Sequence, residues 1–280
     1  MMIHIVVYGN YSVSYKKILN LLEYYNAQNS YIVESPQEKS WEIHTWAPSK
    51  DIFDEFKEKF PQIVICEAEN NAAIDWEAQW QAFSPYYKNG TVSFPLASLL
   101  PDSKELNFSL PKLQLIPGEG FGDLSHPTTS LTLELMASEV QDKVVIDLGT
   151  GSGVLAIAAI GLGAKKIIAI DIEPEALKHA SKNLELNGIT EQVELKLPYQ
   201  IDWPIQGAYC AVMNMLPHEQ KEAYASLPDF VKEQIYDWII SGIIVDQKEN
   251  YLELAQQWGW QLYKESFKEG WWGFHFKMRT

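Results

Sequence analysis

The sequence predicts a doubly wound, Rossmann-like α/β domain preceded by a small α+β, ferredoxin-like domain. Three observations carry this expectation. From about residue 112 onward, strand-like and helix-like segments alternate. One of those strands, Val144-Val145-Ile146, runs straight into three glycines at alternate positions. The first 67 or so residues instead read β-α-β-β-α-β, the split motif of ferredoxin-like domains. A chain of 280 residues also has two domains as its soft prior.

The elements follow in order. Ile3-His4-Ile5-Val6-Val7-Tyr8 is a β-rich run, and residues 15–22 carry apolar side chains at helical spacing. Tyr31-Ile32-Val33 and Trp41-Glu42-Ile43-His44-Thr45-Trp46 read as two strands joined across Ser35-Pro36. Ser49 can cap a helix through Ile52, Phe53, Phe56 and Phe60, which Pro61 ends before a fourth strand over 62–66. The expected division is a recognition domain over 1–67, a connector over 68–111 and the larger domain over 112–280. The connector opens with a helix bearing Asp75, Trp76, Trp80 and Phe83, stops at Pro85, and continues through short extended pieces broken by Pro95, Pro101 and Pro111.

In the larger domain, Val144-Val145-Ile146 is continuously apolar, as a strand buried on both faces requires. A helix over 154–162, a strand over 167–170 and a helix over 175–186 closed by Asn187-Gly188 come next. Strands are expected at 193–197, 209–213 and 238–245, with a helix at 251–258. The aromatic stretch 261–277, interrupted by Gly270 and Gly273, reads as a terminal hairpin.

Composition narrows the function. Hydrophobic residues make up 46% and charged residues 21%, which excludes a disordered chain and a disulfide-stapled miniature fold. No apolar run approaches the roughly 18 residues of a membrane span, and Met1-Met2-Ile3-His4 shows no leader pattern, so a cytoplasmic protein is expected. Cys66 and Cys210 form no CxxC pair and read as reduced, buried thiols. The net charge is −15, with Arg279 the only arginine. A chain this acidic has no basic face for phosphates, so nucleic acid and anionic membrane are not expected partners. A basic protein substrate suits such a field, which accelerates encounter.

The chemistry concentrates in Asp147-Leu148-Gly149-Thr150-Gly151-Ser152-Gly153-Val154-Leu155. Glycines permit the positive φ of a tight turn and the close approach of a ligand. The following helix start is expected to aim unpaired amides at that ligand. Asp171, eighteen residues past Gly153, ends the next strand, where a carboxylate can accept from both hydroxyls of a ribose. A dinucleotide fingerprint needs GxGxxG, and Val154 stands where its third glycine belongs. GxGxG preceded by an acid instead suits S-adenosyl-L-methionine, leaving an NAD-dependent oxidoreductase as the weaker alternative.

Asn214, at the end of the apolar strand Ala211-Val212-Met213, is placed beyond the sheet's carboxyl edge, where it would face a transferring methyl group. Presenting a free lysine as a neutral amine at pH 7 costs about 4.6 kcal/mol, against about 1 for an α-amine. A carboxylate would stabilise the ammonium and raise that cost, whereas an amide oxygen orients the nitrogen with less penalty. A third stretch, Pro117-Gly118-Glu119-Gly120-Phe121-Gly122-Asp123-Leu124-Ser125-His126-Pro127-Thr128-Thr129, is a glycine-dense loop entering a helix. His4, His44, His179 and His218 show no mutual ligand spacing, and no metal is expected.

With those residues in place, the segment from about Asp75 to the C-terminus resembles the PrmA family, the methyltransferases of large-subunit ribosomal protein eleven. The matching pieces are Asp75-Trp76, Trp80, Phe83 and Pro85, then Pro117-Gly118 with Phe121-Gly122, and His126-Pro127-Thr128-Thr129. The match continues from Asp147 through Ala158, and through Asp171-Ile172, Asn187-Gly188, Asn214-Met215-Leu216 and Ser241-Gly242-Ile243. The resemblance implies that Thr129, Gly149, Asp171 and Asn214 contact S-adenosyl-L-methionine, and Gly151 belongs to the same turn. It also implies that the N-terminal domain recognises the ribosomal protein. Together with the amide argument above, methylation of lysine or N-terminal amines is expected, with Asn214 as the catalytic residue. A monomer is expected. Another protein or small-amine acceptor, or a silent cofactor-binding homologue, are the alternatives. Where the family's loop reads Gly-Thr-Gly-Thr, this chain has Gly122-Asp123-Leu124-Ser125. His126 and Glu119 are the nearest candidates for a general base.

Overall fold

The computed structural model describes residues 3–10, 28–35, 40–47, 54, 57–58, 64–67, 86–99, 112–118, 120–122, 124, 126–201 and 209–278. The chain divides into two compact units, Met1–Ile74 and Asp75–Thr280.

In the first unit, β1 (Ile3–Asn10), β2 (Gln28–Ser35), β3 (Ser40–Ala47) and β4 (Val64–Glu67) form one sheet in the order β2-β3-β1-β4. Every neighbouring pair is antiparallel. Val7 and Ile43 are cross-strand partners and both are fully buried. Asp54, Lys57 and Glu58 are helical, within the second helix expected here, while the first, over 15–22, lies outside the described residues.

The second unit opens with a three-stranded antiparallel meander of β5 (Tyr87–Lys88), β6 (Thr91–Pro95) and β7 (Lys112–Leu115). Asn89 (φ 53°) and Gly90 (φ 81°) supply the two positive-φ residues of the β5–β6 turn. Strand β6 thus pairs across residue 111, where the sequence suggested a boundary. The helix expected over the start of the connector lies outside the described residues.

The main sheet contains β8 (Val144–Leu148), β9 (Lys166–Ile170), β10 (Val193–Lys196), β11 (Tyr209–Asn214), β12 (Ile235–Ile244), β13 (Trp260–Lys268) and β14 (Trp271–Met278). Their order is β10-β9-β8-β11-β12-β14-β13. The first five run parallel, and β14 runs antiparallel to both of its neighbours. The expected terminal hairpin is present, but its last strand inserts between β12 and β13 instead of adding to the edge. Gly273 does not break it. A Cβ there would lie 2.9 Å from Leu135 Cδ1 and 3.2 Å from Leu131 Cβ, so glycine lets β14 pack closely under α1.

The α-helices of the second unit, among the described residues, are α1 (Pro127–Met136), α2 (Val154–Gly161), α3 (Pro174–Asn187), α4 (Pro217–Ser226), α5 (Asp229–Lys232) and α6 (Lys248–Gln257). Strand alternation sorts the sheet residues into two cores. Val145, Cys210, Val212 and Ile239 face one core with α1, α2 and Leu184 of α3. Val144, Ile146, Leu148, Ala211, Met213 and Trp238 face the other with Leu227, Val231, Tyr251 and Ala255. All five residues of β8 are buried, the two-sided burial its apolar run requires. At the amino-terminal end of the sheet, Asp237 accepts from Lys143 Nζ at 2.6 Å and from His275 Nε2 at 2.8 Å. Burial pushes the Asp237 carboxyl up, but its two hydrogen-bonded partners outweigh that and hold it below its ordinary range. Among the described residues, no helix is long and apolar enough to cross a membrane.

Candidate active site

Register builds the site. Ile170, Leu148 and Met213 lie level across β9, β8 and β11. Asp171, Gly149 and Asn214 each follow one residue later, so all three emerge at the carboxyl edge where the strand order reverses around β8. Neighbouring strands are about 4.8 Å apart, so this edge spreads the three positions over roughly two strand spacings. That span matches an extended nucleoside.

The glycine turn is held tightly. Gly149, Gly151 and Gly153 have φ of 74°, 55° and 81°, the left-handed region that favours glycine. Gly149 N–H and Thr150 N–H both donate to Ile170 O, at 2.8 and 3.0 Å. Gly151 N–H donates to Asp171 Oδ2 at 2.9 Å, and Ser152 N–H donates to Phe121 O at 2.9 Å. Gly153 N–H reaches Thr150 O at 2.9 Å, and Val154 N–H reaches Ser152 Oγ at 3.3 Å. Six consecutive amides are therefore engaged within the protein. For residues 149–154 this corrects the expectation of unpaired amides aimed at a ligand: Ile170 O, Asp171, Phe121 O and the turn's own Thr150 O and Ser152 Oγ already accept from them. A pyrophosphate would find no cradle here, which counts against the dinucleotide alternative.

The turn's two ionisable groups are both carboxylates. Asp171 Oδ1 accepts from Glu173 N–H at 3.0 Å, so each of its oxygens carries one backbone bond and retains lone-pair capacity for a hydroxyl. Asp147 is 1% exposed; its Oδ2 accepts from Thr150 Oγ1 at 2.7 Å, while Oδ1 is buried without a hydrogen-bond partner. Burial, reinforced by the nearby Asp171 charge, pushes the Asp147 carboxyl up to about 7 against the pull of the Thr150 hydroxyl and the Ala156 backbone amide. A buried carboxylate oxygen without a partner is costly unless a donor or a positive charge arrives.

Asn214 and Thr129, 85 residues apart in sequence, meet at the floor of the site. Asn214 Nδ2 donates to Thr129 Oγ1 at 3.4 Å, and Thr129 is fully buried at the start of α1. With its N–H directed at Thr129, Asn214 offers its carbonyl oxygen as an acceptor. The next residue, Met215, lays its Cε over Gly149, close enough that a Cβ there would strike it. Phe121 and Trp271 flank His126 edge-on, with centroids at 5.4 and 5.1 Å, forming an aromatic rim. His126 caps α1: its Nδ1 faces Thr128 Oγ1 at 2.7 Å and accepts from Thr128 N–H at 3.4 Å. This arrangement commits the Nδ1 lone pair to the helix start, so His126 caps α1 as an acceptor. Glu119 lies outside the described residues.

Two features escaped the sequence reading. Gln220 is fully buried and donates through Nε2 to Met215 O at 2.6 Å and to Ser241 O at 2.9 Å, while Tyr251 OH donates to its Oε1. This holds the turn after Asn214 in place, and no local pattern marks it. His179, Asn183 and Asn187 line one face of α3 and bond to residues 114–120. Their four-residue spacing was visible in the sequence, but nothing there said what they would grip. At the altered loop, Leu124 sits at φ 71° with its side chain 8% exposed in the first core.

The model of the ribosomal protein L11 methyltransferase (PrmA) family matches residues 12–279. The chain belongs to this family. It is 37% identical over 185 residues to the ribosomal protein L11 methyltransferase of Histophilus somni (strain 2336), covering 65% of this chain and 60% of that protein. The counterpart from Tolumonas auensis is 34% identical over 206 residues, covering 72% of this chain and 68% of that one. The match to the first of these therefore spans about three fifths of the relative's length. Among solved structures, a ribosomal protein L11 methylase from Lactobacillus delbrueckii subsp. bulgaricus superposes with a TM-score of 0.51 at 29% identity, over 59% of this chain and 84% of that one.

Proposed function

We propose that the protein is an S-adenosyl-L-methionine-dependent N-methyltransferase acting on lysine or N-terminal amines of large-subunit ribosomal protein L11. The observation that carries this reading is the common edge formed by Asp171, the 149–153 turn and Asn214, with every turn amide saturated and both ionisable groups acidic. Family membership and the names of the relatives supply the substrate. The net charge of −15 suits a basic partner and weighs against a direct nucleic-acid substrate. The reading places the enzyme in the cytoplasm, where its substrate is made.

The cofactor supplies an electrophilic methyl group on a sulfonium centre. On this reading Asp171 holds the ribose, Gly149 and Gly151 allow the close approach, and the buried Asp147 oxygen favours a positively charged amino-acid end. Thr129 orients Asn214, and the Asn214 carbonyl oxygen aligns the attacking nitrogen. Catalysis is then mostly proximity and orientation. A neutral amide does not raise the cost of deprotonating the amine as a carboxylate would. The released proton passes to water.

Intact-mass analysis of purified ribosomal protein L11 after incubation with enzyme and cofactor tests this. Mass gains in steps of one methyl are expected. No gain would reject the substrate, and methyl transfer only to another protein or a small amine would move the function to that acceptor.

A further inference from the structure

We propose that His179 and Asn183 of α3 are positioning residues that clamp residues 116–118 and 120–122 down onto the cofactor turn and thereby set the shape of the cofactor pocket. The inference deepens the cofactor reading above and rests on it.

These residues approach their supports closely at two glycines. A Cβ at Gly118 would fall 2.5–2.7 Å from the His179 ring, and one at Gly120 would fall 2.5 Å from Gly151 O and Ser152 N. Glycine at both places lets the strap reach the turn, but absence of side chains does not hold it there. The holding groups come from α3. Gly120 N–H donates to His179 Nδ1 at 3.0 Å, which puts the ring proton on Nε2, and that nitrogen donates to Ile116 O at 2.7 Å. Asn183 joins the two layers directly: its Oδ1 accepts from Ile116 N–H at 2.8 Å and its Nδ2 donates to Ser152 O at 2.8 Å. The strap then meets the turn through Ser152 N–H to Phe121 O at 2.9 Å and Ser152 Oγ to Gly122 O at 2.6 Å. Both side chains are buried, at 4% and 0% exposure, so water does not compete for these bonds.

The same helix contains its own control. Asn187, one turn further along, makes a comparable pair of bonds to Gln114 N–H (2.9 Å) and Gln114 O (2.6 Å), on strand β7 and away from the turn. A purely structural ladder would make the three residues equivalent. A clamp on the pocket makes His179 and Asn183 different from Asn187.

The test uses four variants of the full chain. His179→Gln places an amide at the Nε2 position and keeps the Ile116 contact, but loses Gly120. His179→Asn places an oxygen at the Nδ1 position and restores Gly120. Asn183→Asp keeps the acceptor for Ile116 N–H and sets an oxygen against Ser152 O. Asn187→Ala removes the control pair. Titration calorimetry with S-adenosyl-L-methionine should show Kd raised at least tenfold in H179Q and N183D, returned to within threefold of the parent in H179N, and within twofold in N187A. Amide exchange of Ser152 N–H, measured without cofactor, should be at least tenfold faster in H179Q and N183D and unchanged in N187A. Parent-like affinity and exchange in H179Q and N183D would overturn the clamp, as would equal losses in all four variants. A parent protein that binds no cofactor would refute the cofactor reading instead, and the exchange measurement would still decide the clamp.

Discussion

Asp171→Ala probes the cofactor reading most directly. The carboxylate accepts from Gly151 N–H at 2.9 Å and Glu173 N–H at 3.0 Å, which fixes its plane at the carboxyl edge of β9. On the proposed reading it then accepts from two ribose hydroxyls. A hydrogen bond to a charged group contributes about 1.5–3 kcal/mol, and two of them about 3–6. Asp171 is partly solvent-exposed, so the lower end applies. About 3 kcal/mol corresponds to a loss of roughly two orders of magnitude in cofactor affinity. Titration calorimetry measures it, with thermal melting to show that the 149–153 turn survives the loss of the Gly151 bond. A folded variant whose Kd stays within threefold of the parent would refute the ribose role, and with it the assignment of the edge.

Other consequences follow from the same geometry. Asn214→Ala should lower kcat by about 10²–10³, the usual cost of losing one oriented group at a reacting centre, while calorimetry shows a smaller loss of cofactor affinity, at most about tenfold, for the one neutral contact removed. Gln220→Leu leaves Met215 O, Ser241 O and the Tyr251 hydroxyl without their partner; denaturant unfolding should show a loss of about 2–4 kcal/mol, with kcat falling and cofactor affinity retained. Asp147, held up near 7 against an ordinary 3.8, binds a proton in the folded state that the unfolded chain has released. Its contribution therefore destabilises progressively as pH rises from about 4 to 7, and melting curves of Asp147→Asn should lack that slope. Leu124→Gly relieves a left-handed leucine, worth about 1–2 kcal/mol, but forfeits a buried side chain worth about 1.5–3; amide exchange at Gly122 should therefore quicken, and unchanged exchange would show that Leu124 does not anchor the loop.

Much of this was legible from the residues alone. The β8 run, the alternate glycines and Asp171 at the end of β9 are local patterns: an apolar strand, positive φ and an acid at a strand end each leave a mark within a few residues. Asn187-Gly188 closes α3 in the same way, with Gly188 at φ 67°. Asn214 was recognisable as a polar residue ending an apolar strand. The β12–β14–β13 order was not, because a hairpin has the same sequence pattern whether it adds to an edge or inserts into it.

Only the tertiary structure decided who meets whom. Thr129 and Asn214 are 85 residues apart, Gly120 and His179 are 59 apart, and Ser152 and Phe121 are brought together by a strap whose fit depends on missing side chains at 118 and 120. The amides of the glycine turn looked available in the sequence because most of their acceptors, Ile170 O, Asp171 and Phe121 O, lie outside the turn. Backbone conformation is set by neighbours along the chain, whereas hydrogen-bond saturation, burial and the raised Asp147 carboxyl are set by neighbours in space, and no one-dimensional pattern encodes those.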